Sequence, residues 1–166
     1  MVAVRMGHTT TEQTVHSVYT ECTRTEGDAM GAWDIGHFDN DTAADFGGRV
    51  DDAEPEKKAD VLRAVLTAAA DTAPDEYLDE GEEAVAAAAL VAAQCPGGEP
   101  ITTAYGPKDP VPPLPADLRP LAVRALDRLT GADAEPLDLW AEAGAEKEWL
   151  AGIAALRAVL VAAPAE

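Results

Sequence analysis

Apolar side chains recur at helical spacing along most of the chain after residue 54. Residues at i, i+3, i+4 and i+7 share one face of a helix, so such a stripe predicts an amphipathic helix. Three stripes follow this spacing: Leu62, Val65, Leu66 and Ala69; Leu118, Leu121, Ala122, Ala125, Leu126 and Leu129; and Trp149, Ile153, Leu156 and Leu160. They predict one helix with Pro55 in its first turn, a second over residues 116–130 and a last one over residues 145–162.

The stretch over residues 78–94 predicts a helix of a different character. It opens with acidic side chains, which favour a helix N-terminus by interacting with its dipole: Asp79, Glu80, Glu82 and Glu83. Its second half reads AVAAAALVAA and is apolar on every face. A helix without a polar face is expected to be surrounded by others, and alanine lets its neighbours approach closely. We therefore predict that this is the central helix.

Two shorter helices are predicted from weaker signals. Thr42 and Asp45 have the spacing of a capping box, in which two side chains satisfy free N–H groups of the first turn. A short helix is therefore expected to follow Thr42 and to end near Asp52. A second short helix, over residues 137–143, places Trp140 on its apolar side.

Two segments are expected to be extended. Residues 31–41 read GAWDIGHFDND and predict an apolar arm laid over the helices. Residues 96–115 contain seven prolines, which exclude a regular helix and favour a stiff polyproline II connection. The fold prediction is all-α: a compact bundle of about five helices with an extended N-terminal arm and a Pro-rich connecting loop.

The first 29 residues differ from the rest of the chain. They are rich in threonine and lack helical periodicity. We expect either a disordered tail or a start codon assigned upstream of a true start at Met30. Residues 30–166 are predicted to form a single helical domain, which suits a total length of 166 residues.

The charge balance narrows the range of partners. The chain has 31 acidic and 12 basic residues and a formal net charge of −19. Nucleic-acid phosphate and anionic membrane surfaces would be repelled, whereas a basic protein surface would be attracted. Negative charge also keeps an alanine-rich protein soluble, which explains the acidity equally well. Cys22 and Cys95 form no disulfide framework, and no secretory or membrane-spanning stretch is found, so we expect a cytoplasmic protein.

The densest polar cluster, Asp39-Asn40-Asp41, has two interpretations. Its oxygen atoms are of the kind that bind Mg²⁺ or Ca²⁺, although the spacing is wrong for an EF-hand loop because the third ligand position falls on Ala43. Alternatively, these side chains cap the following helix and hold the arm through hydrogen bonds to the backbone. We favour the capping interpretation, and the metal site remains the alternative.

The sequence gives little support for other kinds of catalytic or cofactor site. His37 and Cys95 are the only histidine and cysteine after Met30, whereas a tetrahedral zinc site needs three or four such ligands. The chain has no serine after Ser17, no G-x-S-x-G motif and no phosphate-binding glycine loop. We therefore predict no catalytic residue, no resident metal and no cofactor.

Five motifs follow one another between Met30 and Leu160: GAWDIGHFDNDTAADF at 31–46, AVAAAALVAAQCPG at 84–97, RALDRL at 124–129, LDLWAEAG at 137–144 and EWLAGIAALRAVL at 148–160. In this order they resemble a bacterial family known as domain of unknown function 4259. The opening is similar to the family's G-x-W-G-x-G-x-F-D-N-D, with Asp34 in place of a glycine, and Ala89 stands where the family often has an acidic residue. The resemblance implies a small, mostly helical, bacterial cytosolic domain without an assigned activity.

Two functions are carried forward from the sequence. The first is a non-catalytic protein-interaction domain, such as an immunity or adaptor protein, that binds a basic partner. The alternative is a divalent-metal-dependent enzyme built on the Asp39/Asn40/Asp41 cluster. Whether the chain is an enzyme stays open, and the missing catalytic residues weigh against it. The predicted binding residues are Trp33, Phe38, Asp39, Asn40, Asp41 and Trp140.

Overall fold

The computed structural model describes residues 34–162 as a bundle of six α-helices. They are α1 (Asp41–Asp52), α2 (Lys58–Asp71), α3 (Gly81–Ala93), α4 (Leu118–Leu129), α5 (Glu135–Glu142) and α6 (Glu146–Ala162). A 3-10 turn, Pro55–Lys57, precedes α2, and no β-strand forms among the described residues. The predicted all-α class is confirmed. None of these helices is long and apolar enough to cross a bilayer. The tail predicted over residues 1–29 lies outside the described residues.

The apolar helix α3 lies at the centre of the bundle. Every residue from Ala84 to Ala92 is buried. Helices α1, α2, α4, α5 and α6 all contact α3. Because most of its side chains are alanine methyl groups, five neighbours can pack around one helix at short interaxial distances. The prediction of a central apolar helix is confirmed.

The amphipathic stripes of α2, α4 and α6 bury one face of each helix. The stripe residues that are buried are Leu62, Leu66 and Ala69 of α2, Leu118, Ala122, Ala125, Leu126 and Leu129 of α4, and Trp149, Ile153, Leu156 and Leu160 of α6. Helix α4 contacts α2, α3 and α6, so its stripe lies among three other helices. Burial of these leucine and aromatic side chains supplies the main hydrophobic stabilisation of the bundle.

The acidic stretch before α3 is not helical, contrary to the prediction. Glu80 has a left-handed backbone conformation with φ of 53°, so α3 begins at Gly81 rather than near residue 78. Leu78 pairs instead with the segment that leads into α5. Its N–H donates to the Asp133 carbonyl at 2.9 Å, and its own carbonyl accepts from the Glu135 N–H at 3.0 Å. This tertiary pairing overrides the helical preference of the acidic residues.

The proline-rich connection between α3 and α4 contains no helix, as predicted. The side chain of Gln94 holds it against the end of α3. Its Nε2 donates to the carbonyls of Val111 and Pro112 at 3.2 and 3.0 Å, and its Oε1 accepts from the Leu114 N–H at 2.8 Å. A carboxamide suits this position because it both donates and accepts hydrogen bonds.

Candidate functional site

The described part of the predicted N-terminal arm is a compact loop. The Asp34 N–H donates to the Asp39 carbonyl at 3.3 Å, and the Asp39 N–H donates to the Gly36 carbonyl at 3.0 Å. A Cβ atom on Gly36 would lie 2.0 Å from Asp39 Oδ2, so a larger residue at this position would force the Asp39 side chain to move. Trp33, one of the predicted binding residues, lies outside the described residues.

Three of the predicted binding residues, Phe38, Asn40 and Asp41, have different surroundings. Phe38 is buried in the hydrophobic core. Asn40 is the N-cap of α1, and its Oδ1 accepts a hydrogen bond from the Ala43 N–H at 2.8 Å. Helix α1 therefore begins at Asp41 and not after the predicted cap, Thr42. Asp41 is exposed in the first turn, where its charge interacts favourably with the helix dipole. For Asn40, the capping interpretation agrees with the structure.

The geometry around Asp39 does not favour a metal site. The Asn40 amide oxygen is committed to the cap, and the Thr103 hydroxyl donates to Asp39 Oδ1 over a long 3.5 Å. Among residues 34–162, no three histidine, cysteine, aspartate or glutamate side chains are grouped so that they could hold a metal ion. The metal-dependent enzyme stays a prediction.

Backbone pairing brings the start of α3 beside the start of α5. An isolated parallel bridge joins Leu78 to Ala134. The Glu80 N–H donates to Glu135 Oε2 at 2.7 Å, and the Tyr77 hydroxyl donates to Asp138 Oδ2 at 3.3 Å. Side chains of the two segments thus form one surface, which we call the acidic face: Tyr77, Asp79, Glu80, Glu82, Glu135, Asp138, Leu139 and Glu142.

Helix α5 packs one side on the core and turns the other side outward. Trp140, the last of the predicted binding residues, is partly buried against the hydrophobic core. Glu135, Asp138, Leu139 and Glu142 are spaced at i, i+3, i+4 and i+7, so they share the other side of the helix. The acidic face therefore continues along the whole length of α5.

Two large apolar side chains lie within the acidic face. Tyr77 is 48% exposed and Leu139 is 46% exposed. Tyrosine is enriched at protein interfaces because its ring buries apolar area while its hydroxyl keeps a polar partner. The acidic face thus combines exposed apolar area with a rim of negative charge.

The carboxylates of the acidic face are crowded. Burial raises the pKa of Glu82, and the charges of Glu135 and Glu80 raise it further against an opposing hydrogen bond from its own N–H. Partial desolvation raises the pKa of Tyr77, and the charge and hydrogen bond of Asp138 add to this effect. Like charges held together disfavour the ionised forms of both groups. No cation among the described residues contributes to either shift.

Most basic side chains of the described residues are engaged elsewhere. Ion pairs join Arg49 to Glu83, Lys57 to Asp60, Arg63 to Asp117, Arg124 to Asp71 and Arg157 to Asp127. Lys58 is buried, and its charge acts on Asp51. Arg128 donates to main-chain carbonyls. None of these ion pairs includes a carboxylate of the acidic face.

The raised pKa of Glu82 gives a pH-dependent prediction. The folded protein holds this proton more tightly than the unfolded chain, so the stability contributed by protonated Glu82 is lost as the pH rises through the folded pKa. Glu82→Gln is therefore expected to raise the melting temperature at pH 7. The difference should vanish below the ordinary glutamate value of 4.5, where both states are protonated. Thermal melts across this range measure it.

The matched control for this experiment is Glu56→Gln, which changes an exposed glutamate of the 3-10 turn. Glu56→Gln and Glu82→Gln each remove one negative charge, so the two variants have the same net charge. Little change in melting temperature is expected for Glu56→Gln. An equal gain in both variants would attribute the effect to net charge and contradict the account of Glu82.

Sequence reasoning assigned the acids at the start of α3 to the helix dipole and did not single out Tyr77, Glu135, Asp138 or Leu139. One signal was available in the distribution of basic residues. No lysine or arginine occurs between Arg63 and Lys108, nor between Arg128 and Lys147. Both acidic segments lie within these gaps. The two acidic segments lie side by side because the Leu78 backbone pairs with the segment before α5, and no local sequence pattern predicts this pairing.

The fold and its surfaces define a small all-α domain, built around an alanine-rich central helix and carrying an acidic surface. The chain matches the family described as a domain of unknown function (DUF4259) over residues 31–152, and it therefore belongs to that family. This match confirms the resemblance drawn from the sequence motifs. Searches of the curated proteins and of the solved structures gave no match.

Proposed function

We propose that this chain is a non-catalytic protein-interaction domain, of the immunity or adaptor kind, that binds a basic protein through the acidic face. The observation that supports this most is a set of carboxylates that form no ion pair within residues 34–162 and surround two exposed apolar side chains, Tyr77 and Leu139. A basic surface would neutralise the carboxylates while it buries the tyrosine and the leucine.

The two components of the acidic face contribute differently to such binding. Long-range attraction between the carboxylates and a basic partner accelerates encounter and disfavours acidic competitors. Burial of Tyr77 and Leu139 supplies contact area near the centre of the interface and slows dissociation. Burial is the main cause of the raised pKa of Glu82, and the charges of Glu135 and Glu80 add to it. A basic partner would offset this added repulsion between carboxylates.

The same charge distribution disfavours other partners. Phosphate groups of nucleic acid or of an anionic membrane would be repelled by a net charge of −19, so we propose neither as a ligand. We place the protein in the bacterial cytoplasm, as its family resemblance and cysteine usage suggest.

The test is a parallel capture experiment with three forms of the tagged full chain. The first is the wild type, and the second carries Asp79→Lys and Asp138→Lys in the acidic face. The third carries Asp45→Lys and Glu56→Lys, which give the same net charge from exposed positions on α1 and the 3-10 turn. Each form is incubated with native cytosol, and the recovered proteins are quantified by mass spectrometry.

We expect a basic protein in stoichiometric amount with the wild type and the control, and its loss with the acidic-face variant. Recovery of no stoichiometric partner by the wild type would count against the proposal. Equal loss in both variants would also contradict it, because attraction would then depend on net charge and not on this surface.

A further inference from the structure

A separate cleft of about 560 Å³ lies at the other end of α3. Its floor is apolar and is built from small side chains of α3 and larger ones of α6: Ala89, Ala92, Leu156 and Val159. The loop before α1 and the segment after α3 form its walls. Its volume lies in the range of about 300–1,000 Å³ that is usual for small-molecule sites.

The walls bring five polar side chains to the cleft: His37, Asp39, Glu99, Thr102 and Thr103. The half-buried His37 is affected by the charges of both Asp39 and Glu99, which places the two carboxylates close enough to act on the same ring. Burial outweighs both charges and lowers the pKa of His37, so its imidazole is neutral at pH 7 and can accept a hydrogen bond.

The negative charge of this cleft has no counter-ion among the described residues. Among the described residues that line the cleft there is no lysine or arginine. Neither Asp39 nor Glu99 belongs to an ion pair within residues 34–162. The hydrogen bond that Asp39 accepts from Thr103 is 3.5 Å long, and long hydrogen bonds are weak.

The segment after α3 is held tightly, so the cleft is preformed. The Gly98 N–H donates to the Cys95 carbonyl at 2.9 Å. A Cβ atom on Gly98 would lie 1.8 Å from the Ala92 carbonyl oxygen, so the backbone of this turn rests directly on the end of α3. His37, on the other wall, lies close to α6. A Cβ atom on Gly152 of α6 would lie 3.7 Å from His37 Cε1, which is an ordinary contact distance.

We propose that this cleft binds a small organic cation: a protonated amine carried on an apolar chain. The ammonium group lies between Asp39 and Glu99 and donates to the imidazole of His37, and the apolar part packs on Ala92 and Leu156. A protonated amine supplies the three donors that two carboxylates and an imidazole can accept.

This site is distinct from the acidic face. The two regions lie at opposite ends of α3, because Ala92 is about 15 Å along the helix axis from Glu82. Ligand binding in the cleft therefore does not depend on the proposed protein partner.

The test is calorimetric titration of the full chain with n-hexylammonium in salt of about 0.15 M, which screens attraction between exposed charges beyond about 8 Å. Hexanoate and hexanol serve as anionic and neutral probes of the same apolar length. We expect saturable binding of hexylammonium at one site and none of hexanoate. Hexanol should bind at least tenfold more weakly than hexylammonium.

Four variants separate the cleft from general attraction of cations. Asp39→Asn and Glu99→Gln keep the side-chain shapes, and each should weaken hexylammonium binding about tenfold. Ala155→Trp adds a large ring at an exposed position that lines the cleft and should abolish binding. Asp45→Asn removes a charge on α1 outside the cleft and should leave binding unchanged.

Three results would overturn the proposal. The first is absence of saturable binding by the wild type. The second is equal affinity for hexanol and hexylammonium, which would make the cleft a purely apolar groove. The third is equal weakening by Asp45→Asn and Glu99→Gln, which would reduce the effect to net charge.

Discussion

Arg128→Met is expected to lower the free energy of unfolding by about 3 kcal/mol, because hydrogen bonds to a charged group each contribute about 1.5–3 kcal/mol and several are lost together. The Arg128 guanidinium donates to five main-chain carbonyls, those of Thr72, Ala73, Glu76, Ala132 and Asp133. It thereby ties the turn after α2 to the turn after α4. Without it, all five carbonyls lose this donor, and the hydrogen bonds to Thr72 and Ala73 are partly buried.

The size of this loss can be measured by urea unfolding, and a shift of the melting temperature of roughly 6–12 °C should accompany it. Arg124→Met is the matched control on the same helix. Arg124 pairs only with Asp71 across the surface, where both side chains are 60% exposed. Such a pair contributes about 1 kcal/mol or less. Equal losses in the two variants would show that Arg128 does not organise these turns.

Ala88→Leu is the second substitution with a large expected effect. Ala88 is fully buried in the middle of α3, which other helices surround. Three added carbon atoms must displace neighbouring backbones, so we expect a loss of about 3 kcal/mol, at the upper end of the usual cost of overpacking. Leucine is a good helix former, which means that helix propensity does not account for such a loss. Urea unfolding again measures it.

The control for Ala88→Leu is Ala154→Leu, an exposed position on α6. The same atoms are added there without displacing a neighbour, so the free energy of unfolding should change by less than about 0.5 kcal/mol. A small effect at Ala88 would mean that α3 has room around it. The account of closely packed alanine would then be wrong.

The helices that were predicted well are those whose pattern is local. Leu62 and Leu66, or Leu126 and Leu129, are neighbours on one helix face, so their spacing alone indicates both the helix and its buried side. The same holds for the central position of α3, since a run without a polar face has no side to offer to water. These features needed no knowledge of which helices meet.

The features that were missed depend on contacts between distant segments. The acidic stretch before α3 was predicted as helical. Instead, the Leu78 backbone forms hydrogen bonds with Asp133 and Glu135, and this pairing keeps the stretch out of the helix. Likewise the cap of α1 is Asn40 and not Thr42, because both residue types can cap a helix and the approach of the loop decides between them. The acidic face joins Tyr77 to Asp138 across 61 positions of sequence.

The candidate residues near the start of the chain were predicted as one local cluster of polar and aromatic side chains, and the structure gives them separate roles. Asn40 caps α1 and Phe38 fills the core. Asp39 lines the cleft together with Glu99, which the sequence did not single out. No spacing rule links residues 39 and 99, and only the turn at Gly98 brings Glu99 back beside α3.

We have proposed that the acidic face recognises a basic protein. The most direct measurement is the dissociation constant between the full chain and its captured partner in about 0.15 M salt, where the Debye length is about 8 Å. We expect the Asp79→Lys, Asp138→Lys variant to bind at least tenfold more weakly than the wild type, equivalent to about 1.4 kcal/mol or more. The equally charged Asp45→Lys, Glu56→Lys variant should bind within about twofold of the wild type, as scattered surface charges contribute little. Equal dissociation constants for the wild type and the acidic-face variant would contradict the claim.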